Sequence, residues 1–347
     1  MFKPIDASIG GLFIGVAAGI HMLELKRVSG FSGMLRQLVS GPRDSKIAYL
    51  VGLLLAGIIM KAILPETAFD PPAPTPRLCT FAWGVLIGIG TTLANGCTSG
   101  HGLCGLSRLS WRSLVAVPTF MLAAMVSSIL SQVSAASDFA FNPPVTAAFV
   151  ETKTLHTALV AFGVLSATLG PAIWISRRFR RDSILNLWCG LCAGTGLSIG
   201  GMVRPSVVQA GLSPHHIDFT LWVLFIVALA TTFIFYRIAH RLGGVKEACA
   251  IGSKQAVDRW LVLGALLFGA GWGASGFCPG PLLVAIAASP EAVDPFLCLL
   301  GMVIGMHATH EVRSESAVRP FPACAECLFV SQARAERDGI RAGKEDV

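Results

Sequence analysis

Nine separate runs of mostly apolar residues organise this chain, near 7–25, 46–64, 78–96, 113–134, 154–176, 184–203, 217–236, 260–277 and 294–311. Each approaches the roughly 20 residues that an α-helix needs to cross a bilayer's hydrocarbon core. In lipid every backbone N–H and C=O must be satisfied internally, so such runs predict helices. Composition agrees: 14% of the 347 residues are charged, against about 25% in a soluble domain. The expectation is an all-α integral membrane protein, with the lipid bilayer as its surroundings. Two shorter apolar pieces, 99–107 and 280–290, are too short to span and too apolar for ordinary loops. They predict re-entrant half-helices, which survive at membrane depth only inside protein or beside a cavity. The opening "MFKPIDASIGGLFIG" has no clear basic region or A-x-A cleavage site and reads as part of the first span.

Charge sets the orientation. With the N-terminus outside, 22 of the 27 Lys and Arg fall in the connections and tail that then face the cytoplasm, and five fall outside. The positive-inside rule therefore predicts nine spans, N-terminus out and C-terminus in. The net charge of +7 is accounted for by topology, and no nucleic-acid partner is expected. The ten cysteines are scattered through apolar runs and do not form a disulfide framework; a free Cys there behaves as a small hydrophobe.

Two of them stand in unusual company. "GIGTTLANGC" at Gly88–Cys97 matches "GAGWGASGFC" at Gly269–Cys278, an offset of 181 residues. "GLFIG" at Gly11–Gly15 matches "GLCAG" at Gly190–Gly194, an offset of 179. Two matches at nearly one offset predict an internal repeat. An odd number of spans separates the copies, so the second is inserted upside down. That division gives residues 1–183 with five spans, residues 184–311 with four, and a cytoplasmic tail, 312–347. Inverted repeats with interrupted helices are a recurrent transporter design, with substrate bound near the midplane.

Most of the glycines in these runs are read as close helix–helix contacts. That does not explain why each run ends at a cysteine followed by a short helical piece. Pro279 suits the first turn of a new helix, which puts Cys278 near its N-cap. Asn95-Gly96-Cys97-Thr98-Ser99 similarly ends one helix and starts another. A helix N-terminus favours thiolate and binds anions through free N–H groups. Gly96, Gly276 and Gly280 leave room beside Thr98 and Ser99 for a small sulfur-bearing anion between Cys97 and Cys278.

Other residues carry weaker signals. Cys97, His101 and Cys104 have metal-like spacing but lack a fourth ligand, and zinc normally takes four; no metal or cofactor is expected. His101 is assigned a hydrogen bond or a place at the cytoplasmic edge. Arg204, beside a glycine-rich helix end, is a candidate to attract an anion at the outer mouth. Its bland alternative is a snorkelling interfacial arginine. Glu24 is expected to pair with Lys26 or Arg27. His307 and His310 are read as interfacial, and Cys324 and Cys327 as part of a neutral tail. There is no Walker A motif, and most spans lack buried acids for a proton relay.

"GIGTTLANGCTSGHGLCGLSRLSWRSL" and "GAGWGASGFCPGPLL" resemble the signature segments of the YeeE/YedE family of inner-membrane sulfur-transport proteins. The resemblance covers roughly residues 7–310. The second half, with "GLCAGTGLSIGGMVRP", resembles a partner protein that some members encode separately, so both pieces look joined here. It implies a prokaryotic inner membrane, thiosulfate as the leading substrate, and Cys97 and Cys278 passing it on by hydrogen bonding. A cytoplasmic sulfur-accepting protein is a further implied partner. Thiosulfate transporters of the family carry another essential cysteine near the end of the first span. Here that region reads "GIHMLELKRVSGFSGML", so Cys104 stands as a candidate replacement. Sulfide, a persulfide or another small anion are the alternative substrates. Two other function classes remain open at this point: a membrane thiol–disulfide oxidoreductase, and a passive channel for small anions.

Overall fold

The computed structural model describes residues 3–40, 46–65, 70, 76–135, 151–179, 182–213, 218–242 and 257–315. These form α1 (Pro4–Leu25), α2 (Phe31–Ser40), α3 (Lys46–Ile63), α4 (Arg77–Ala94), a π-helix (Thr98–Gly105) and α5 (Trp111–Ala135). After α6 (Glu151–Phe179) come α7 (Asp182–Ile199), α8 (Pro205–Leu212), α9 (Thr220–Arg241), α10 (Arg259–Ser275), α11 (Pro279–Ala288) and α12 (Val293–Glu315). No strand occurs among the described residues. The nine apolar runs are α1, α3, α4, α5, α6, α7, α9, α10 and α12, and the two short pieces are the π-helix and α11. Among the described residues, six stretches are long and apolar enough to cross a membrane: Pro4–Leu25, Arg77–Ala94, Trp111–Ser131, Thr220–Arg241, Arg259–Ala288 and Val293–His310. The chain is a multi-pass helical membrane protein.

Helices α2 and α8 lie outside the expected set. Helix α2 mixes polar and apolar residues over ten positions, and α8 has only eight. Neither shows as a span in a hydropathy profile. Residues 136–150, 243–256 and 316–347, which include Cys249, Cys324 and Cys327, lie outside the described residues.

The packing comes in matched pairs. Helix α1 lies against α9, and α7 lies against α3; α4 lies against α12, and α5 against α10. At the centre α1 meets α7, and α4 meets α10. The α4–α10 crossing is tight. A Cβ on Gly90 would stand 2.3 Å from Phe268 N, and one on Gly264 would stand 2.3 Å from Ala94 N. Backbones approach this closely only where both helices present glycine.

Helices α4 and α10 also end alike. Asn95 caps α4 in the left-handed region (φ 59°), and Gly276 does so for α10 (φ 72°). Such a residue at the helix end closes the last turn and redirects the chain. Each is followed by an extended cysteine and a new short helix. One pairing differs from expectation. Glu24 is bound by Arg177 of α6, with Nε and Nη2 each 2.9 Å from its oxygens. Lys26, at the α1 C-cap, is itself left-handed (φ 54°). Arg27 pairs instead with Asp182, at 3.7 Å.

Candidate functional site at the two helix breaks

Cys97 is the N-cap of the π-helix and Cys278 the N-cap of α11, both with extended backbone. His101 N donates to Cys97 O at 2.8 Å, and Leu282 N to Cys278 O at 2.9 Å, which closes equivalent first turns. Pro279 occupies the first turn of α11. The two breaks, 181 positions apart in sequence, meet. Thr98, the residue after Cys97, reaches Cys278 Sγ, and the two thiols are close enough to act on each other electrostatically. Both are reduced and fully enclosed, at 0% and 1% exposure.

Hydroxyls knit the pair together. Thr98 Oγ1 is 3.0 Å from Cys278 Sγ, and Ser99 Oγ is 3.2 Å from Cys97 Sγ. Ser99 Oγ also accepts from Phe31 N at 3.1 Å, which ties α2 to the site. Ser32 of α2 stands close enough to act on the Cys97 thiol. A thiol is a weak donor and a weak acceptor, so these bonds orient the sulfurs without locking them.

The glycines near the breaks make room for the neighbours that brace them. A Cβ on Gly96 would stand 2.6 Å from His101 Cδ2, and one on Gly280 would stand 2.2 Å from Phe31 Cδ2. At Gly276 it would meet Pro205 Cα at 2.9 Å. His101 is buried and spends both ring nitrogens. Its Nε2 is 3.0 Å from Ala94 O, and its Nδ1 is 3.0 Å from Ser113 Oγ. The carbonyl can only accept, so Nε2 carries the proton and Nδ1 accepts from the hydroxyl. The ring therefore staples the end of α4 to α5.

Cys104 lies elsewhere. Its Sγ donates to Ser29 O at 3.3 Å. Arg204 is the N-cap of α8. Its charge acts on Asp70, which also accepts a short hydrogen bond from Ser206. Burial pushes the Asp70 carboxyl above its ordinary range, against the pull of Ser206 and Arg204. Arg204 therefore faces a carboxylate next to the α8 end that covers Gly276.

A cavity of about 110 Å³ is lined by Thr98 and Ser99, the two residues that bond the thiols, but by neither thiol itself. Pro281 and a largely apolar set that includes Phe120, Met202 and Trp272 complete its wall. Sequence reasoning missed the contributions of α2, namely Phe31 and Ser32, and the cavity wall. Their only signal is proximity in space, which one chain's residue order does not carry. Among the described residues no group of three or more His, Cys, Asp or Glu is arranged to hold a metal ion.

Known proteins resemble this chain in two consecutive parts. Residues 5–126 match a family described as sulphur transport, and residues 182–319 match a family of unknown function (DUF6691). A probable transporter of Xylella fastidiosa (strain 9a5c) is 33% identical over 121 residues, which are 35% of this chain and 89% of that protein. A probable transporter of Xylella fastidiosa (strain Temecula1 / ATCC 700964) is 31% identical over 134 residues, 38% of this chain and 90% of its own length. No solved structure matches the chain closely enough to count as a relative. With nearly the whole of these transporters aligned, and a sulphur-transport match over the half that contains Cys97, the chain belongs to the YeeE/YedE family of membrane sulfur transporters.

Proposed function

We propose that this protein moves a small inorganic sulfur-containing anion, thiosulfate foremost, across a prokaryotic inner membrane along a path formed by Cys97 and Cys278. The observation that carries this reading is the meeting of two thiols, each at the start of a half-helix, one from each half of the chain. Free N–H groups at those starts favour an anion, and the sulfurs supply soft hydrogen-bonding partners. Thr98 and Ser99 hold the thiols in place. Cys104, bonded to a backbone carbonyl, enters as a brace. The thiols bind and release the anion with no net redox change, so the protein acts as a carrier and not as an oxidoreductase.

The nine helices act as spans, N-terminus out and C-terminus in, with residues 1–183 and 184–311 as inverted repeats and 312–347 as a cytoplasmic tail. The matched contacts α1–α9 with α7–α3, and α4–α12 with α10–α5, support this. They are what a two-fold exchange of the halves produces, with α6 left over as the connector. Inverted repeats of this kind let one half rock against the other around a fixed central site.

Uptake of labelled thiosulfate into membrane vesicles, with sulfate and sulfide as competitors, tests the reading. Cys97→Ala and Cys278→Ala are expected to abolish saturable uptake at unchanged protein abundance. Full activity in both variants would remove the thiol path.

A further inference from the structure

The cavity of about 110 Å³ has walls suited to hydrocarbon. Phe120, Met121, Leu224 and Phe225 are among them, and no Lys, Arg, Asp, Glu or His lines the space. The two hydroxyls in the lining are already engaged. Thr98 Oγ1 bonds Cys278 Sγ at 3.0 Å, and Ser99 Oγ bonds Cys97 Sγ at 3.2 Å and Phe31 N at 3.1 Å. Trp222 donates its N–H to Gly211 O at 2.9 Å, and the Trp272 nitrogen presents no surface to the space. A buried water wants two to four polar partners, so an apolar void of this kind stays dry. Left empty, it also deprives its lining atoms of dispersion contacts.

Its position ties it to the bilayer. Helix α5 packs on α10 and α9 packs on α1, while the π-helix and α8 each touch both α5 and α9. The cavity draws its wall from both pairs, with Val117 and Met121 of α5 and Trp222 and Phe225 of α9 among its lining. These four side chains are half-buried. They adjoin the outer faces of the same two helices, where Leu122 is 64% and Ile226 60% exposed. In a membrane protein such faces meet acyl chains. We propose that the end of a phospholipid acyl chain enters between α5 and α9 and fills this cavity. Hydrocarbon matches the lining, and it has no polar group to leave unmet there. The volume admits only a few carbons, since an engineered cavity of ~150 Å³ in another protein takes a single benzene. Thr98 and Ser99 then touch the chain end on one side and the two thiols on the other. Lipid thereby supports the residues that orient Cys97 and Cys278, a role separate from the transport reading.

A phospholipid with a photoactivatable diazirine at the end of one acyl chain tests this, in vesicles that hold the full chain. After irradiation, peptide mass spectrometry is expected to find adducts on Leu103, Leu197 or Leu224. These line the cavity and are only 5%, 2% and 3% exposed, beyond the reach of lipid on the outer surface. Exposed Leu122 and Ile226 should be labelled too. With the diazirine moved to the middle of the chain, the cavity adducts should fade relative to those at Leu122 and Ile226. Ala228, also in the wall, offers a second arm, because Ala228→Leu replaces a methyl group by an isobutyl group. It is expected to cut cavity adducts about tenfold by overpacking the chain end, and to melt no lower than wild type in detergent. Adducts confined to exposed residues would overturn the lipid site. So would cavity labelling that is equal from both diazirine positions, or that Ala228→Leu leaves undiminished. If Ala228→Leu folds poorly, the two diazirine positions on the wild-type protein decide alone. None of these readouts uses uptake, so their failure leaves the thiol path standing.

Discussion

Thr98 Oγ1 sits 3.0 Å from Cys278 Sγ, so the residue that follows one thiol grips the other. This contact joins the π-helix of the first half to α11 of the second. Thr98→Val preserves shape and removes the hydroxyl, at a cost of about 1 kcal/mol for a lost hydrogen bond. The thiosulfate KM of this variant is expected to rise several-fold in vesicle uptake, with abundance unchanged. Thr98→Ser should behave like wild type. Equal kinetics for the valine variant would mean that the hydroxyl does not orient Cys278.

Cys104, within the π-helix, braces a different structure, the connector between α1 and α2. His21 Nδ1 holds Arg27 O at 3.0 Å, Cys104 Sγ holds Ser29 O at 3.3 Å, and Ser99 Oγ holds Phe31 N at 3.1 Å. Three clamps on five residues make the loss of a weak thiol donor tolerable. Cys104→Ser and Cys104→Ala are therefore both expected to retain uptake within about threefold, whereas Cys97→Ser abolishes it. Loss of transport in Cys104→Ser, which keeps a donor, would show instead that its sulfur takes part.

Much of this was legible in the residue order, and the reasons are physical. Nine long apolar runs announce nine helices because lipid permits little else. Asn95-Gly96-Cys97 and Gly276-Phe277-Cys278-Pro279 announce helix breaks, since left-handed caps and an N1 proline have local signatures. What could not be read was lateral. Nothing in "FSGMLRQLVS" says that its first residue will hydrogen-bond Ser99. Glu24 chose Arg177, 153 positions away, over its immediate neighbours.

Asp258 anchors the helix that leads to Cys278. Its Oδ1 accepts from Leu261 N at 3.1 Å as the α10 N-cap, and from Arg112 Nη1 of α5 at 3.2 Å. The Arg112 side chain is only 7% exposed. Asp258→Ala removes the cap, worth about 1 kcal/mol, and takes a carboxylate from a nearly buried guanidinium, for a total of roughly 2–3 kcal/mol. Asp258→Asn keeps a capping oxygen and should lose about half as much. Thermal melting in detergent is expected to rank wild type above Asp258→Asn above Asp258→Ala. The order fails if the cap and the ion pair do not both matter.

Two glycines touch α2 with opposite consequences. Gly33, within α2, has nothing within 4 Å of where a Cβ would stand. Gly280, in the first turn of α11, would place a Cβ 2.2 Å from the Phe31 ring. Phe31 N is bonded to Ser99, which in turn touches Cys97. Gly280→Ala therefore pushes α2 off the thiol site, and overpacking of this kind costs about 1–3 kcal/mol. It is expected to cut thiosulfate uptake at least tenfold and to lower the melting temperature. Gly33→Ala should leave uptake unchanged and stabilise α2 by roughly 0.5–1 kcal/mol, because alanine loses less backbone entropy in a helix. Equal uptake by the two variants would show that the Phe31–Gly280 contact does not position the thiols.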